Sequence, residues 1–326
     1  MIRAGRRKAG ALMSSLTWQE FWRSKSWDQR VAAAVAVTLA VFQIYTALFG
    51  ALDALMQRAV HLGLGLALVF LVHASGQEEK DRARPGWLDW LLVALAAVAI
   101  GYLLARYDWV TVERFTLITP LSWPEKILGV LMILLVLEAA RRVVSRGLFY
   151  VVIAFLLYPF LGPYLPGVLH TAPIRWTELV DFDYLSLGGI FGIPLGVSAT
   201  EIALFIIFGA ILMRSGGSFL ISNVATVLAG RMVGGPAKVA VIGSSLMGTI
   251  SGSGTANVAT VGSVTIPMMK RAGYSPNFAA AVEAVASTGG QIMPPVMGAA
   301  AFVMSAFSGI PYATIIRYAA FPAILP

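Results

Sequence analysis

Residues 238–271 read KVAVIGSSLMGTISGSGTANVATVGSVTIPMMKR, and this stretch decides the fold. It is apolar at both ends, whereas its central heptapeptide SGSGTAN, residues 251–257, contains only small or polar residues. A lipid-facing helix could not carry that heptapeptide cheaply, because backbone and side-chain groups left unsatisfied in hydrocarbon are costly. The sequence therefore predicts irregular chain at membrane depth that is buried in protein or lines a cavity.

Two apolar arms, 239–249 and 258–268, flank this heptapeptide. Each arm has about 11 residues, roughly half of a bilayer at 1.5 Å per residue. Basic residues stand at both outer ends, with Lys238 before the first arm and Lys270 after the second. Both ends are therefore expected on the same side of the membrane. We predict a re-entrant helical hairpin over 237–269 that enters from the cytoplasm and has its tip near the midplane.

A second interruption follows in residues 277–307, NFAAAVEAVASTGGQIMPPVMGAAAFVMSAF. Apolar helix-forming stretches surround STGGQIMPP, whose paired glycines and prolines would break a continuous helix, so we predict a broken helix over 275–307. Two interrupted elements at one depth would bring together free carbonyls, hydroxyls and an amide. Such hard oxygen ligands suit Na⁺, and the N-termini of half-helices suit an anionic substrate group.

The composition of the whole chain indicates a membrane protein. Of its 326 residues, 58% are hydrophobic and 12% are charged, whereas a soluble domain averages about 25% charged residues. Apolar runs close to the length of a membrane-spanning helix occur at 31–50, 59–75, 87–105, 127–144, 147–165 and 188–213. The sequence therefore predicts an all-α polytopic membrane protein with transmembrane helices, one re-entrant hairpin and one broken helix.

The formal net charge of +8 follows from where the basic residues lie. With the N-terminus in the cytoplasm, most of them fall on the inner side, as the positive-inside rule requires. The basic residues that this topology leaves outside are Arg58, Arg106, Arg114, Lys126 and Arg175. Residues 1–30, which carry seven Lys or Arg and three Trp, predict a cytoplasmic segment at the membrane interface. This asymmetry between the two sides accounts for the net charge of +8. A nucleic-acid partner is therefore not needed to explain it.

The chain offers no pattern typical of an enzyme. It has no cysteine and three scattered histidines, which excludes disulfides, thiolate metal sites and a histidine cluster. No acid and base pair or activated nucleophile is visible, and the Gly-rich SGSGT lacks the Lys and Ser or Thr that complete a phosphate loop. We therefore expect no enzymatic activity and no organic cofactor, as in a secondary transporter.

Three carboxylates lie in or near predicted membrane segments, where charge is expensive and functional roles are frequent. Glu138 stands four residues before Arg142, so an ion pair along one helix is expected. Glu201 lies well inside the sixth apolar run, and both a buried hydrogen bond and proton coupling are open for it. For Glu283, a solvated position at a helix end and a structural pairing are both open.

The motifs around both interruptions resemble one transporter family. The residues ISGSGTANVATVGSVTIPMMKRAGYSPNFAAAVEA, followed by STGGQIMPP, resemble the large membrane subunit of tripartite ATP-independent periplasmic (TRAP) transporters. Upstream, FQIYTALFG, QRAVHLGLGLALVF and GGIFGIPLGVSATEIALFIIFGAIL are similar to the variant that fuses the small and large membrane subunits and works with TAXI-type binding proteins.

The resemblance implies a multi-pass permease of the bacterial inner membrane that imports small organic anions, such as carboxylates, with a Na⁺ gradient. Its partner would be a periplasmic substrate-binding protein of the TAXI type. The implied organisation is a small-subunit-like four-helix region at 31–146, a connecting helix and periplasmic loop at 147–185, and the first repeat of the transport region at 186–326. Because the family has two inverted repeats that share the site, we expect this chain to be a fragment or to need a partner with the second repeat.

The resemblance also carries over candidate site residues, motif by motif. The candidates for a Na⁺ site are Ser251, Gly252, Ser253 and Asn257 on the hairpin and Gly289, Gly290 and Pro294 on the broken helix. The candidates for substrate binding are Ser253, Thr255 and Gln291.

Rival functions remain beside this interpretation. An elevator-type carrier that works without a binding protein would have similar hairpins, but the small-subunit-like helices at 31–144 argue against it. A membrane-embedded enzyme acting on lipids would need clustered acids or histidines, which the sixteen scattered Asp and Glu do not offer. A channel would show conductance without saturation.

Overall fold

The structure, a computed structural model, describes residues 26–73 and 84–324. Within these two ranges all regular structure is helical, which confirms the predicted all-α fold. The chain divides into two compact units, Met1–Gly192 and Ile193–Pro326. The predicted interfacial segment lies almost entirely outside the described residues, and so does most of the predicted loop at 76–86.

The described part of the first unit contains six α-helices. They are α1 (Trp27–Phe49), α2 (Ala54–Val72), α3 (Trp87–Ala105), α4 (Trp123–Val143), α5 (Arg146–Leu161) and α6 (Trp176–Leu185). Helices α1 to α4 pack on one another and α6 packs on α4. Phe70, Leu103, Met132, Leu135 and Tyr184 are among the fully buried side chains of this unit. The Tyr184 hydroxyl donates to the carbonyl of Ala99 at 2.6 Å, so its polar end is satisfied inside this core.

The second unit is built from shorter helices around a central hairpin. They are α7 (Ile193–Arg214), α8 (Gly217–Ala229), α9 (Gly235–Ser251), α10 (Gly254–Thr260), α11 (Gly262–Arg271), α12 (Pro276–Gly289), α13 (Ala299–Ser308) and α14 (Tyr312–Ile324). Helix α9 is the centre of the unit, because it packs against α8, α10, α11 and α12.

Five helices in the described part of the chain are long and apolar enough to cross a membrane. They are α1, α2, α3, α5 with the turn that follows it to Tyr164, and α7. Helix α4 coincides with the fourth predicted run, but it carries Glu125, Lys126, Glu138, Arg141 and Arg142 near its ends. Helix α5 is strongly apolar and has no buried residue, so lipid or further protein is expected to cover it.

Arg142 connects three helix ends in the first unit. Its Nε donates to Glu138 at 2.7 Å, which confirms the predicted pair within α4. Its Nη1 donates to Asp89 at the start of α3 at 2.7 Å and to the carbonyl of His73 after α2 at 2.8 Å. The Arg142 side chain is only 5% exposed, and the Arg142–Asp89 pair is therefore nearly shielded from water.

The predicted hairpin has longer arms than the sequence suggested. Helix α9 has 17 residues, and α10 and α11, which follow each other almost without a break, have 7 and 10. Each arm is therefore about 25 Å long rather than half a bilayer. Ser251 still belongs to α9 and residues 254–257 begin α10, which packs against α12, so most of the heptapeptide is helical. Arm length therefore gives no support for a tip near the midplane.

Candidate functional site

The hairpin turns over two residues, Gly252 and Ser253. Gly252 ends α9 in the left-handed conformation, with φ of 57°, which a glycine adopts without penalty. Ser253 is extended and caps α10, where its Oγ accepts from the backbone N–H of Ala256 at 3.4 Å. The unwound part is therefore shorter than the predicted heptapeptide. Residues 254–257 form the first turn of α10, because Ser253 supplies the N-cap that favours a helix start.

The second interruption extends from Gly290 to Gly298. A short 3₁₀ turn at Gly290–Ile292 follows α12, and the chain then runs without helix until α13 begins at Ala299. The Pro294–Pro295 peptide bond in this segment is cis. The N–H of Gly298 donates to the carbonyl of Gln291 at 2.6 Å, which closes the segment into a loop.

Tyr312 of α14 contacts both this loop and the helix that follows it. Its hydroxyl contacts the carbonyl oxygens of Pro295, at 3.0 Å, and of Val296. Its ring stacks on Phe302 of α13 with centroids 4.4 Å apart. The single hydrogen of the Tyr312 hydroxyl therefore satisfies one of these two carbonyls, which the broken helix leaves without helical partners.

The two interruptions contact each other directly. The N–H of Val296 donates to the carbonyl of Thr249 in α9 at 3.4 Å. A Cβ atom added to Gly252 would lie 1.9 Å from the carbonyl oxygen of Met297. The backbones of Gly252 and Met297 are therefore in direct contact. This close approach depends on glycine at position 252, because any side chain would collide with the facing loop.

Asn257 is the buried polar residue at this contact. Its Nδ2 donates to the carbonyl of Ser244 at 2.7 Å, and its side chain is fully buried. Its Oδ1 has no hydrogen-bond partner among the described residues. A Cβ on Gly290 would come within 2.9 Å of Nδ2, so the side-chain amide lies against the start of the second interruption. A buried acceptor without a partner is costly, and a cation would remove that cost.

The three substrate candidates lie together on the accessible side of this contact. The hydroxyls of Ser253 and Thr255 are 3.2 Å apart. A Cβ on Gly254, between them, would lie 2.5 Å from Nε2 of Gln291. Thr255 and Gln291 are exposed and Ser253 is half-buried. Two hydroxyls and a carboxamide could therefore donate hydrogen bonds to one small anion.

The other candidates for cation ligands do not all lie at the contact between the two interruptions. The hydroxyl of Ser251 accepts from the N–H of Ser253 at 3.4 Å, and Pro294 is half-buried in the loop. Gly289, however, lines an apolar cavity of about 540 Å³ between α9, α12 and the end of α14. No neighbouring atom lies within 4 Å of a Cβ added there. The structure therefore brings Gly289 to the cavity, away from the close contact that Gly290 makes with α9.

The sequence left two environments open for Glu283, a solvated position and a structural pairing. It is fully buried in α12, so the solvated alternative is wrong. Its carboxyl oxygens contact the hydroxyls of Ser244, Thr265 and Ser287. A polar cluster around one carboxyl therefore lies beside the two interruptions. No local signal in the sequence indicates it, because its members come from three separate helices.

Glu201 also differs from its expected environment. It lies in a π-helical turn, Ser198–Ile202, within α7, and its side chain is exposed. Of the two alternatives that the sequence left open for Glu201, the buried hydrogen bond is therefore wrong. Single π-helical turns inside α-helices occur often at functional positions, so Glu201 remains a candidate for a role that involves water or further protein.

Comparison with known proteins assigns the second unit and part of the first. The family model described as "Tripartite ATP-independent periplasmic transporter, DctM component" matches residues 131–326. No solved structure matches the chain significantly.

Several curated proteins are similar to part of this chain. The isethionate TRAP transporter permease protein DctMQ of Oleidesulfovibrio alaskensis is 34% identical over 124 residues, which are 38% of this chain and 18% of that protein. The C4-dicarboxylate TRAP transporter large permease protein DctM of Pseudomonas aeruginosa is 36% identical over 94 residues, 29% of this chain and 22% of that protein. The uncharacterized protein YgiK of Salmonella typhimurium is 33% identical over 100 residues, 31% of this chain and 23% of that protein.

The chain thus spans about a fifth of the length of these relatives. The family match nevertheless covers more than half of this chain and includes both interruptions, α9 to α13. The chain therefore belongs to the DctM family of TRAP transporter components, a family of large membrane permeases and not of enzymes.

Proposed function

We propose that this chain is the membrane permease component of a Na⁺-coupled secondary importer that receives small organic anions from a periplasmic binding protein. One observation supports the proposal most strongly. The hairpin and the broken helix pack closely together, and Asn257 of the hairpin is fully buried there with an Oδ1 that has no partner among the described residues. The side chains of Ser253, Thr255 and Gln291 lie together on the accessible side of the same two elements.

The donor set at this place suits Na⁺ better than a transition metal. Among residues 26–73 and 84–324, no three His, Cys, Asp or Glu side chains are grouped as metal ligands. Hydroxyl, amide and carbonyl oxygens suit hard cations, whereas nitrogen and sulfur ligands suit softer ones. Asn257 would supply its Oδ1. The further oxygens would come from Ser251, Gly252, Ser253, Gly290 and Pro294, whereas Gly289, which lines the apolar cavity, is left out of the proposed site. A bound Na⁺ would add positive charge beside an anionic substrate and couple its movement to the Na⁺ gradient.

The names of two relatives support an anionic substrate. One relative is named for isethionate and another for C4-dicarboxylates, and both compounds are small organic anions. Ser253, Thr255 and Gln291 could bind a carboxylate through uncharged donors, and the cation would balance its charge. We therefore propose carboxylates as the substrate class of this chain.

The partners and the location are part of the same proposal. A TAXI-type binding protein would deliver the substrate, and the second inverted repeat, in the same or another chain, would complete the site. The bacterial inner membrane would hold the permease with its N-terminus in the cytoplasm. The distribution of Lys and Arg supports that orientation, and residues 31–146 would act as a fused small subunit.

Uptake by proteoliposomes tests the proposal. The full-length permease would be reconstituted with its cognate binding protein, and uptake of a labelled carboxylate would be measured with an inward Na⁺ gradient. We expect uptake to require both Na⁺ and the binding protein. Full uptake with choline in place of Na⁺ would contradict the proposed coupling. Full uptake without the binding protein would instead favour a carrier that works alone.

A further inference from the structure

Residues 112–118 of the first unit, the apolar loop, lie between α3 and α4 and expose large apolar side chains. Val112, Phe115, Leu117 and Ile118 are each between 56% and 79% exposed. Several exposed apolar side chains on one short segment mark an interaction surface. The proposed function does not use this segment.

One carboxylate of α6 holds the apolar loop at two points. The buried guanidinium of Arg114 lies with its Nη2 2.5 Å from Oδ1 of Asp181. The Oδ2 atom of the same carboxylate accepts from the backbone N–H of Leu117 at 2.9 Å. The exposed apolar side chains therefore extend from a base that is fixed to α6.

The backbone of the loop satisfies most of its own donors. The N–H of Phe115 donates to Oγ1 of Thr119 at 3.1 Å, and the N–H groups of Ile118 and Thr119 donate to the carbonyl of Phe115 at 3.2 and 2.9 Å. With Leu117, four of the five N–H groups from Phe115 to Thr119 have an acceptor. Water would satisfy such groups on an aqueous surface, whereas hydrocarbon satisfies none. The pairing therefore suits apolar surroundings.

The contacts of α6 show where the loop is held along the membrane helices. The Tyr184 hydroxyl bonds to the carbonyl of Ala99, six residues before α3 ends. A Cβ added to Gly129, six residues after α4 begins, would collide with Val180. Six helical residues are about 9 Å, so α6 lies beside α3 and α4 rather than beyond their ends. Asp181 therefore draws the loop back along these helices.

Tryptophans with stacked cations stand on both sides of the apolar loop. The guanidinium carbon of Arg106 lies 5.1 Å from the centre of the Trp109 ring, and Nζ of Lys126 lies 5.1 Å from the centre of the Trp123 ring. Such amphipathic side chains are typical of the membrane–water interface, where the ring contacts lipid and the charge contacts water. The apolar loop thus begins and ends at interfacial residues.

We propose that the apolar loop inserts its four exposed apolar side chains into the boundary between lipid headgroups and acyl chains, on the membrane face where α3 ends. Lipid is the occupant that the depth of the loop and its paired backbone favour, because a protein partner would be expected to meet a loop that stands beyond the helix ends. The burial of apolar area at this boundary anchors the first unit, and Asp181 transmits the anchor to α6.

Spin labels measure which medium surrounds the loop. Phe115→Cys and Ile118→Cys would each carry a nitroxide in the full-length permease in lipid nanodiscs. This chain has no cysteine of its own, and any cysteine outside it would be replaced. Collisions of the label with oxygen, which concentrates in lipid, would be compared with collisions with a water-soluble nickel chelate. Asp108→Cys, an exposed charged position just before the loop, is the matched control.

We expect the ratio of oxygen to nickel collisions to be severalfold higher at positions 115 and 118 than at position 108. Equal ratios at the three positions would overturn the proposal, because the loop would then lie in water. A ratio that rises only after the binding protein is added would also overturn it and assign the surface to a protein. Transport is not measured, so failure of the proposed function would leave this result unaffected.

Discussion

Gly248 and Gly290 lie so close together that a larger residue at position 248 would force their two backbones apart. A Cβ on Gly248 would lie 2.4 Å from the Cα of Gly290 and 2.5 Å from its carbonyl oxygen. The contact is therefore between two backbones, one in α9 of the hairpin and one at the end of α12. This pair fixes how closely the two interrupted elements meet.

Gly248→Ala should separate these elements. Because the added carbon meets backbone rather than a flexible side chain, we expect a loss of about 1–3 kcal/mol in the free energy of unfolding and strongly reduced uptake. Thermal unfolding and uptake by the reconstituted permease would measure both effects. Gly209→Ala is the matched control, since its Cβ would lie 3.6 Å from the nearest atom, an ordinary contact. Wild-type behaviour of Gly248→Ala would contradict the close approach.

Asn257→Ala should weaken the response to Na⁺. The substitution removes the proposed ligand Oδ1 and leaves the Ser244 carbonyl without its amide donor. We expect the Na⁺ concentration for half-maximal uptake to rise about tenfold, the effect of about 1.4 kcal/mol. Asn223→Ala, at an exposed position of α8, should leave it unchanged. An unchanged Na⁺ requirement in a folded Asn257→Ala protein would remove Asn257 from the cation site.

Gln291→Ala should affect the substrate rather than the cation. The exposed carboxamide adjoins Ser253 and Thr255 but is not part of the buried contact, so we expect the unfolding temperature to stay the same. The KM for the transported anion should rise about tenfold with the loss of one hydrogen bond to a charged group. Asn277→Ala, exposed on α12, serves as the control. A changed Na⁺ dependence with an unchanged KM would contradict the assignment of Gln291 to the substrate.

The buried pair Arg114–Asp181 should matter for the stability of the first unit. Its atoms are 2.5 Å apart, with side chains 0% and 4% exposed, and Asp181 also accepts from the N–H of Leu117. Asp181→Asn would leave a buried guanidinium without its counter-charge, at a cost of about 3–5 kcal/mol.

Glu178→Gln changes the partner of the exposed Arg175 and should cost less than about 1 kcal/mol. Chemical unfolding in detergent would compare the two variants. If Asp181→Asn and Glu178→Gln had the same free energy of unfolding, the Arg114–Asp181 pair would not stabilise the first unit as its burial implies.

The class of fold and the two interruptions could be predicted from the sequence because both depend on local composition. Apolar runs give helices of membrane-spanning length, and paired Gly and Pro give a break wherever they fall. The length of the turn could not be predicted in the same way. Ser253 caps a new helix immediately, so the small polar residues after it are helical rather than unwound.

The environment of single acidic residues was harder to predict. Glu138 finds Arg142 on its own helix, so its spacing was sufficient. Two of the three hydroxyl partners of Glu283 come from other helices, α9 and α11, and the space it occupies exists because residue 262 is glycine. Glu201 is exposed and lies in a π-helical turn, which no local composition indicates. Long-range packing, rather than local pattern, decides such positions.

The central claim is that the hairpin and the loop of the broken helix face each other across a backbone contact. A disulfide between Thr249→Cys and Val296→Cys tests it most directly, because the wild-type chain has no cysteine and the backbones of these residues are joined by a 3.4 Å hydrogen bond. Mild oxidation of the full-length permease followed by mass spectrometry should give nearly complete cross-linking. The control pair combines Thr249→Cys with Ser305→Cys, and Ser305 lies about 9 Å beyond the first residue of α13. This pair should not cross-link. Absence of the first cross-link in a folded protein would contradict the account.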